Sequence, residues 1–248
     1  MKKQILDFKN YVLHLVPSEQ RKGTAVLLFH GFPSESLNGT DQEKNEDLLK
    51  HISESTGYEA YLHHYSGLGK SIKGVFSFSD SINDSKELLK LILSKHKYII
   101  LIGHSWGGWV AMNCIRNSNR NIKQLILLSP LNELPYSEIL KTVMKDIRNN
   151  FPHIMQNKSE ADFVNELEEL NKTHNPRRCV DHIDPKSRVL ILQANEDQEV
   201  PQQSTMEFYK LFGENCTYEI MDTDHSFTRN RNDMINKCIS FIKEQKEL

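Results

Sequence analysis

Cysteine is scarce and scattered in this sequence. Its four cysteines stand far apart, at Cys114, Cys179, Cys216 and Cys238, and none belongs to a C-x-x-C pair. This spacing indicates neither a zinc site nor a disulfide framework. We therefore expect no metal to take part in whatever chemistry the chain performs.

Long apolar runs and a strong net charge are missing as well. No stretch approaches the roughly 18 apolar residues of a membrane span. Asp7, Lys9 and Asn10 interrupt any apolar segment behind the basic start of the chain. The formal net charge of −2 gives no electrostatic case for nucleic acid or an acidic membrane surface as a partner. We expect a cytoplasmic protein that works on a small molecule.

Apolar runs of strand length alternate with amphipathic helical segments along most of the 248 residues. The runs predicted as buried strands lie at 25–29, 58–64, 98–102, 122–128, 189–192 and 217–221, and residues 4–16 are predicted to form a strand pair. Such alternation predicts an α/β fold with a mainly parallel twisted sheet and helices on both faces. A final helix is expected over residues 227–241.

The alternation stops between residues 131 and 186. This segment contains no clear buried strand but has two amphipathic helical patterns, one of them opened by Ser159 as an N-cap with Asp162 three residues later. We predict a core domain made of residues 1–130 and 187–248, with 131–186 as a small helical lid inserted in it. Its basic residues are expected on solvated faces: Lys141, Lys145, Arg148, Arg177 and Arg178.

The sequence Gly-His-Ser-Trp-Gly-Gly at residues 103–108 marks the most informative point of the chain. It follows a buried strand and precedes an apolar helical segment, which is the context that a G-x-S-x-G nucleophile turn requires. Such a turn holds the serine in a strained conformation at the edge of the sheet, so Ser105 is the candidate nucleophile.

A serine hydroxyl needs a base, and the base needs a carboxylate to orient it. His225 follows the last predicted strand and is therefore expected at the same sheet edge as Ser105. Asp197 follows the preceding strand and completes the order Ser, Asp, His. Glu196, Glu199 and, less favourably, Glu133 are alternative carboxylates.

Backbone N–H groups must stabilise the negative charge that develops on the substrate oxygen. The N–H of Trp106, which opens the helix after the serine, and that of Phe32, in the His-Gly-Phe loop after an apolar strand, are the candidates. His30, Gly31, His104 and Trp109 are candidate residues of the substrate pocket. Trp109 fits a core position equally well, and His104 also suits a packing role because its side chain is expected to point away from Ser105.

Together these residues resemble an α/β-hydrolase, close to the serine carboxylesterases and acyl-esterases. The resemblance rests on segments spread in the family's order over nearly the whole chain: His30-Gly31-Phe32-Pro33, the turn at 65–71, Gly103 to Gly107, Asp197 with Val200-Pro201, and Asp224-His225. The turn departs from the usual Asp-x-Arg-Gly-x-Gly-x-Ser at Tyr65 and Ser66. The resemblance implies a hydrolase without a cofactor that forms an acyl-enzyme on Ser105.

We expect esterase activity on small or medium acyl substrates, because the inserted segment is modest in size. Alternatives within this fold family are a thioesterase or a hydrolase of amides, lactones or carbon–carbon bonds. A ligand-binding protein without turnover is the alternative from another class, and a complete triad argues against it.

Overall fold

An eight-stranded sheet forms the centre of the protein in the computed structural model, which describes residues 1–32, 40–71, 74–116, 119–134, 137–155 and 158–244. The strands in chain order are β1 Lys2–Ile5, β2 Val12–Val16, β3 Thr24–Phe29, β4 Glu59–His63, β5 Tyr98–His104, β6 Ile122–Leu128, β7 Arg188–Ala194 and β8 Cys216–Met221. Their spatial order is β1-β2-β4-β3-β5-β6-β7-β8. β2 pairs antiparallel with both β1 and β4, and the other pairs are parallel. The predicted mainly parallel sheet is confirmed.

Helices cover both faces of the sheet. They are α1 Thr40–Thr56, α2 Phe78–Leu93, α3 Trp106–Ile115, α4 Ser137–Asn150, α5 Pro152–Met155, α6 Glu160–Thr173, α7 Gln202–Tyr209 and α8 Arg231–Lys243. The alternating side chains of β3 show the division: Val26 and Leu28 pack in one apolar cluster with α1 and α8, while Leu27 and Phe29 belong to another with α2 and α3. Both faces of the central strands are therefore buried, which explains their continuous apolar runs.

Two helix boundaries show how local side chains decide where a helix begins. Ser159 and Asp162 form the predicted capping box at the start of α6. The last helix was predicted from Phe227, which is wrong: α8 begins at Arg231. Phe227 has a φ of 54°, and Asp224 accepts hydrogen bonds from the backbone and hydroxyl of Thr228, so a tight turn occupies the four residues before the helix.

The described regular elements between β6 and β7 are all helical: α4, α5, α6 and a 3₁₀ helix at Pro176–His182. Their apolar side chains join the cluster on the α2 and α3 face of the sheet, among them Leu140, Met144, Phe163 and Leu167. Whether 131–186 acts as a lid stays a prediction.

None of the helices in the described ranges combines the length and the apolar character that crossing a bilayer requires.

Arg177 of this segment is not on a solvated face as expected. Its guanidinium donates to Asn132 Oδ1 at 3.0 Å and pairs with the Glu133 carboxylate at 3.1 Å, and it also reaches the Ser204 carbonyl of α7. The helical segment is thus tied by a partly buried cation to the loop after β6 and to α7.

Candidate active site

Ser105 stands at the sharp turn between β5 and α3. Its backbone has φ 53° and ψ −119°, in the left-handed region that a non-glycine residue seldom adopts. The surroundings hold this conformation, because the Ser105 N–H donates to the Leu128 carbonyl at 3.0 Å and its carbonyl accepts from the Leu131 N–H at 3.0 Å. The strained serine that the pattern predicted is therefore fixed to the end of β6 and to the loop that follows it.

The glycines around Ser105 are required by close backbone approach. A β carbon on Gly107 would collide with the carbonyl oxygen of Phe29, and one on Gly103 would collide with the carbonyl of Gly107. Only glycine lets α3 start this close to β3 and β5.

Asp197 and His225 lie together at the carboxyl ends of β7 and β8. The His225 Nδ1 donates to Asp197 Oδ2 over 2.8 Å. Four further interactions hold the Asp197 side chain: Gln193 Nε2 donates to Oδ2, the N–H groups of Glu199 and Val200 donate to Oδ1, and the Ser129 hydroxyl makes a side-chain hydrogen bond. The Asp197 side chain is 1% exposed, so these donors replace the water that an ionised carboxylate needs.

The electrostatics of this pair suit a base held by an ionised acid. Burial alone would raise the pKa of Asp197, but the hydrogen bond and charge of His225 and the Val200 N–H outweigh it and lower that pKa. Burial alone would lower the pKa of His225, but the hydrogen bond to Asp197 and the nearby carboxylates of Glu199 and Asp224 raise it above the ordinary value.

The other ring nitrogen of His225 faces a carboxylate. His225 Nε2 has no hydrogen-bond partner among the described residues, so the structure does not join it to the Ser105 hydroxyl. Glu199 Oε2 lies 3.4 Å from it. His225 is nevertheless close to the serine turn, because His104 Nε2 donates to the His225 carbonyl oxygen at 2.9 Å.

An apolar cavity opens beside Ser105 and encloses about 480 Å³, its open mouth included. Its walls combine core residues with side chains of α4 and α6: Phe32, Phe78, Ser105, Trp106, Leu131, Ile139, Leu140, Val143, Met144, Leu167, Glu199 and Val200. Trp106 is held by a hydrogen bond from its indole Nε1 to Ser81 Oγ at 3.0 Å, and the Phe32 ring stacks on Phe76 at 4.5 Å. Both candidate oxyanion residues therefore border the same space as Ser105.

The four residues predicted for the substrate pocket do not line this cavity. His30 is fully buried with Nδ1 bonded to the Gly31 carbonyl, so this pair belongs to the core beneath the loop. His104 packs against His225 and Phe227, on the far side of its strand. Trp109 lies one turn into α3, fully buried and stacked on Trp106.

Tyr65, where the turn at 65–71 differs from the usual sequence of the family, has a structural role. Its hydroxyl donates to the His30 carbonyl at 3.1 Å and its ring packs on the His30 ring at 4.3 Å. Tyr65 thus supports the loop that carries Phe32. Pro33 of the same motif lies outside the described residues.

Two features of the site were missed in the sequence. Gln193 interrupts the apolar strand β7, and this break in the pattern could have indicated its role toward Asp197. The wall contributed by α4 and α6 had no such signal, since it depends on how the segment packs. Of the alternative acids, Glu199 faces Nε2 instead of Nδ1, while Glu196 pairs with Arg229.

Within the described ranges, no group of three or more histidine, cysteine or acidic side chains is arranged to hold a metal ion.

Residues 20–187 match the family model described as serine aminopeptidase, S33. The chain belongs to this α/β-hydrolase family. The match covers more than half of the chain and includes the Ser105 turn, whereas Asp197 and His225 lie beyond it.

One curated relative of this α/β-hydrolase is similar to it at low sequence identity. A Bacillus subtilis protein named AB hydrolase superfamily protein YfhM is 26% identical over 147 residues, which are 58% of this chain and 47% of that protein. The match thus spans about half the length of this curated relative.

Two solved structures share the fold along almost the entire chain. Est1E from Butyrivibrio proteoclasticus with bound ferulic acid superposes with a TM-score of 0.72 at 18% identity, covering 98% of both chains. An esterase from Pyrococcus furiosus has a TM-score of 0.70 at 18% identity, covering 98% of this chain and 91% of that one. At this identity the likeness establishes the fold.

Proposed function

We propose that this α/β-hydrolase is a serine esterase that cleaves a carboxylic ester with a small or medium apolar acyl group, forming an acyl-enzyme on Ser105. The observation that carries the proposal is the placement of Ser105 in the wall of an apolar cavity, at the same sheet edge as the hydrogen-bonded Asp197 and His225. The esterases among the similar folds support the choice of an ester bond.

The proposed reaction begins when Ser105 Oγ attacks the acyl carbon and its proton passes to His225 Nε2. Asp197, bonded to Nδ1, keeps the ring in the tautomer whose Nε2 can accept that proton and stabilises the imidazolium that results. For this step Nε2 must come within hydrogen-bond reach of Ser105, which substrate binding is proposed to bring about.

Two backbone N–H groups are proposed to hold the oxyanion. Trp106 is the first residue of α3, where N–H groups have no partner inside the helix and the helix dipole favours negative charge. Phe32 borders the same cavity from the loop after β3. His225 then protonates the leaving alcohol, and a water activated by the same base cleaves the acyl-enzyme. The proposed reaction thus draws on side chains, backbone N–H groups and one water molecule.

The test is hydrolysis of p-nitrophenyl esters of increasing acyl length by the wild type and by Ser105→Ala. We expect kcat/KM to be highest for short or medium acyl chains and to fall by several orders of magnitude in the variant. Hydrolysis that survives the substitution would contradict it. A wild type that reacts with a fluorophosphonate at Ser105 but cleaves no ester would point to a thioester, amide or other bond.

A further inference from the structure

Glu199 occupies a position between the base and the acyl cavity that the proposed reaction leaves unused. Its Oε2 lies 3.4 Å from His225 Nε2, and its side chain, about half exposed, lines the same cavity as Ser105. Its own N–H donates to Asp197 Oδ1 at 3.0 Å, so the backbone of Glu199 is fixed to the carboxylate that orients His225. This hydrogen bond fixes the backbone position from which the Glu199 side chain extends toward His225.

The cavity is otherwise apolar. Among the described residues that line it, Glu199 is the only charged one, and Ser105 is the only other side chain that is not hydrophobic. A carboxylate in such a wall repels an anionic substrate group more strongly than it would in open water, because apolar walls screen charge poorly.

We propose that Glu199 is a specificity-determining residue that excludes acyl groups carrying a negative charge and selects neutral or cationic ones. The inference rests on the proposed esterase function and narrows its substrate class. A carboxylate within the acyl group would enter the space beside Ser105 and meet the Glu199 carboxylate there.

Glu199 also faces the base among other ionisable groups. Around His225 stand Asp197 on the same loop as Glu199, Asp224 on its own loop, and His104 at the end of β5, with Arg231 of α8 behind His104. Burial lowers the pKa of His104 to about 3, so that ring stays neutral at ordinary pH. Burial lowers the pKa of His225, but the surrounding carboxylates outweigh this effect and raise it. Glu199 is one of the carboxylates that contribute to the raised pKa.

The experiment compares two p-nitrophenyl esters with four-carbon acyl groups, the neutral butyrate and the anionic monoester of succinate. In Glu199→Gln the kcat/KM ratio of succinate to butyrate is expected to rise about two- to fivefold, the size of a solvent-accessible charge–charge contact. Glu196→Gln is the matched control, since it removes the same charge from the same loop but from a residue that pairs with Arg229 outside the cavity. Its ratio should stay that of the wild type. Equal ratios in Glu199→Gln and the wild type, or equal rises in the two variants, would overturn the inference.

A second readout does not depend on turnover. Titration of the His225 ring by NMR should give a lower pKa in Glu199→Gln than in the wild type and in Glu196→Gln. An unchanged pKa overturns the contact on which the inference stands. If the wild type cleaves neither ester, the proposed function fails, and the titration alone still decides whether Glu199 acts on His225.

Discussion

At Ser105 a single residue carries a conformational cost that its neighbours compensate. A non-glycine residue at φ 53° costs on the order of 1–3 kcal/mol. Backbone hydrogen bonds to Leu128 and Leu131 hold it there, and the glycines at 103 and 107 make the approach possible. Backbone strain of this size is typical of a functional residue whose side chain must project beyond the edge of the sheet.

The carboxylate of Asp197 should matter more for rate than for folding. Asp197→Asn keeps the shape but offers an amide group to His225 Nδ1, which favours the wrong tautomer of the ring. We expect kcat of ester hydrolysis to fall by about 10⁴-fold.

Steady-state kinetics with p-nitrophenyl butyrate measures the effect, and Glu196→Gln serves as the control because its carboxylate pairs with Arg229 away from His225. A loss below tenfold in Asp197→Asn would show that this carboxylate does not orient the base.

At this scale the sequence allowed candidate site residues to be named, but it did not predict their surroundings. Ser105, Asp197 and His225 could be named because each follows a recognisable strand at one sheet edge. His30 and His104, two of the residues predicted for the substrate pocket, lie outside the lining of the cavity beside Ser105, and the His104 side chain packs against His225, in keeping with the packing role also considered for it. The direction of the Glu199 side chain could not be foreseen, since loop side chains follow no periodicity.

Among the elements, α6 is joined to the core by a carboxylate. Glu166 Oε1 accepts from the Ser77 hydroxyl at 2.6 Å and from the Ser79 N–H at 2.9 Å, at the start of α2. Its other oxygen pairs with Lys158 at 3.2 Å. Burial alone would raise the pKa of Glu166, but these donors lower it, so the group stays ionised and marks the N-terminus of α2 as a docking point for the helical segment.

Removing this anchor should weaken the attachment of α6. In Glu166→Ala we expect the free energy of unfolding to fall by about 1–3 kcal/mol, because the Ser77 and Ser79 donors lose a charged acceptor in a partly buried place. Urea denaturation measures it.

Glu168→Ala, an exposed position on the same helix, is the control and should change stability by less than about 0.5 kcal/mol. Equal effects of the two substitutions would contradict the anchoring role.

Elements with a local signal were predictable and their mutual packing was not. The period of the apolar residues and the Ser159 capping box predicted α6. The predicted start of α8 was wrong because the turn made by Asp224 and Thr228 competes with helix formation. The wall that α4 and α6 give to the cavity depends on long-range contacts such as that of Glu166, which no short window of sequence contains.

On the scale of the whole molecule, buried neutral histidines link folding to pH. Burial is the main cause that lowers the pKa of His63, His64 and His104 to about 3 each. In the unfolded chain these rings take up protons below about pH 6.5, whereas the folded protein keeps them neutral until about pH 3. Their contribution to stability is therefore complete above pH 6.5 and is lost as the pH falls. The raised pKa of His225 acts in the opposite direction, since its contribution is lost as the pH rises through that pKa.

We accordingly expect the free energy of unfolding to drop by about 2–6 kcal/mol between pH 7.0 and pH 5.0. Each histidine whose pKa is lowered contributes up to about 1.4 kcal/mol per pH unit to this drop. Urea denaturation at both values gives the difference. His64→Gln should reduce it, while His51→Gln, at an exposed position of α1, should leave it unchanged. Equal stability at the two pH values would show that these rings do not stay neutral in the fold.

The most direct test of the central claim, that Ser105 is a nucleophile activated by His225, is reaction of the folded protein with a fluorophosphonate followed by peptide mapping. We expect one equivalent of label on Ser105, none on Ser105→Ala, and much slower labelling of His225→Ala. A folded wild type that takes up no label, or takes it up at another residue, would contradict the claim and leave the chain with a hydrolase fold that does not use Ser105.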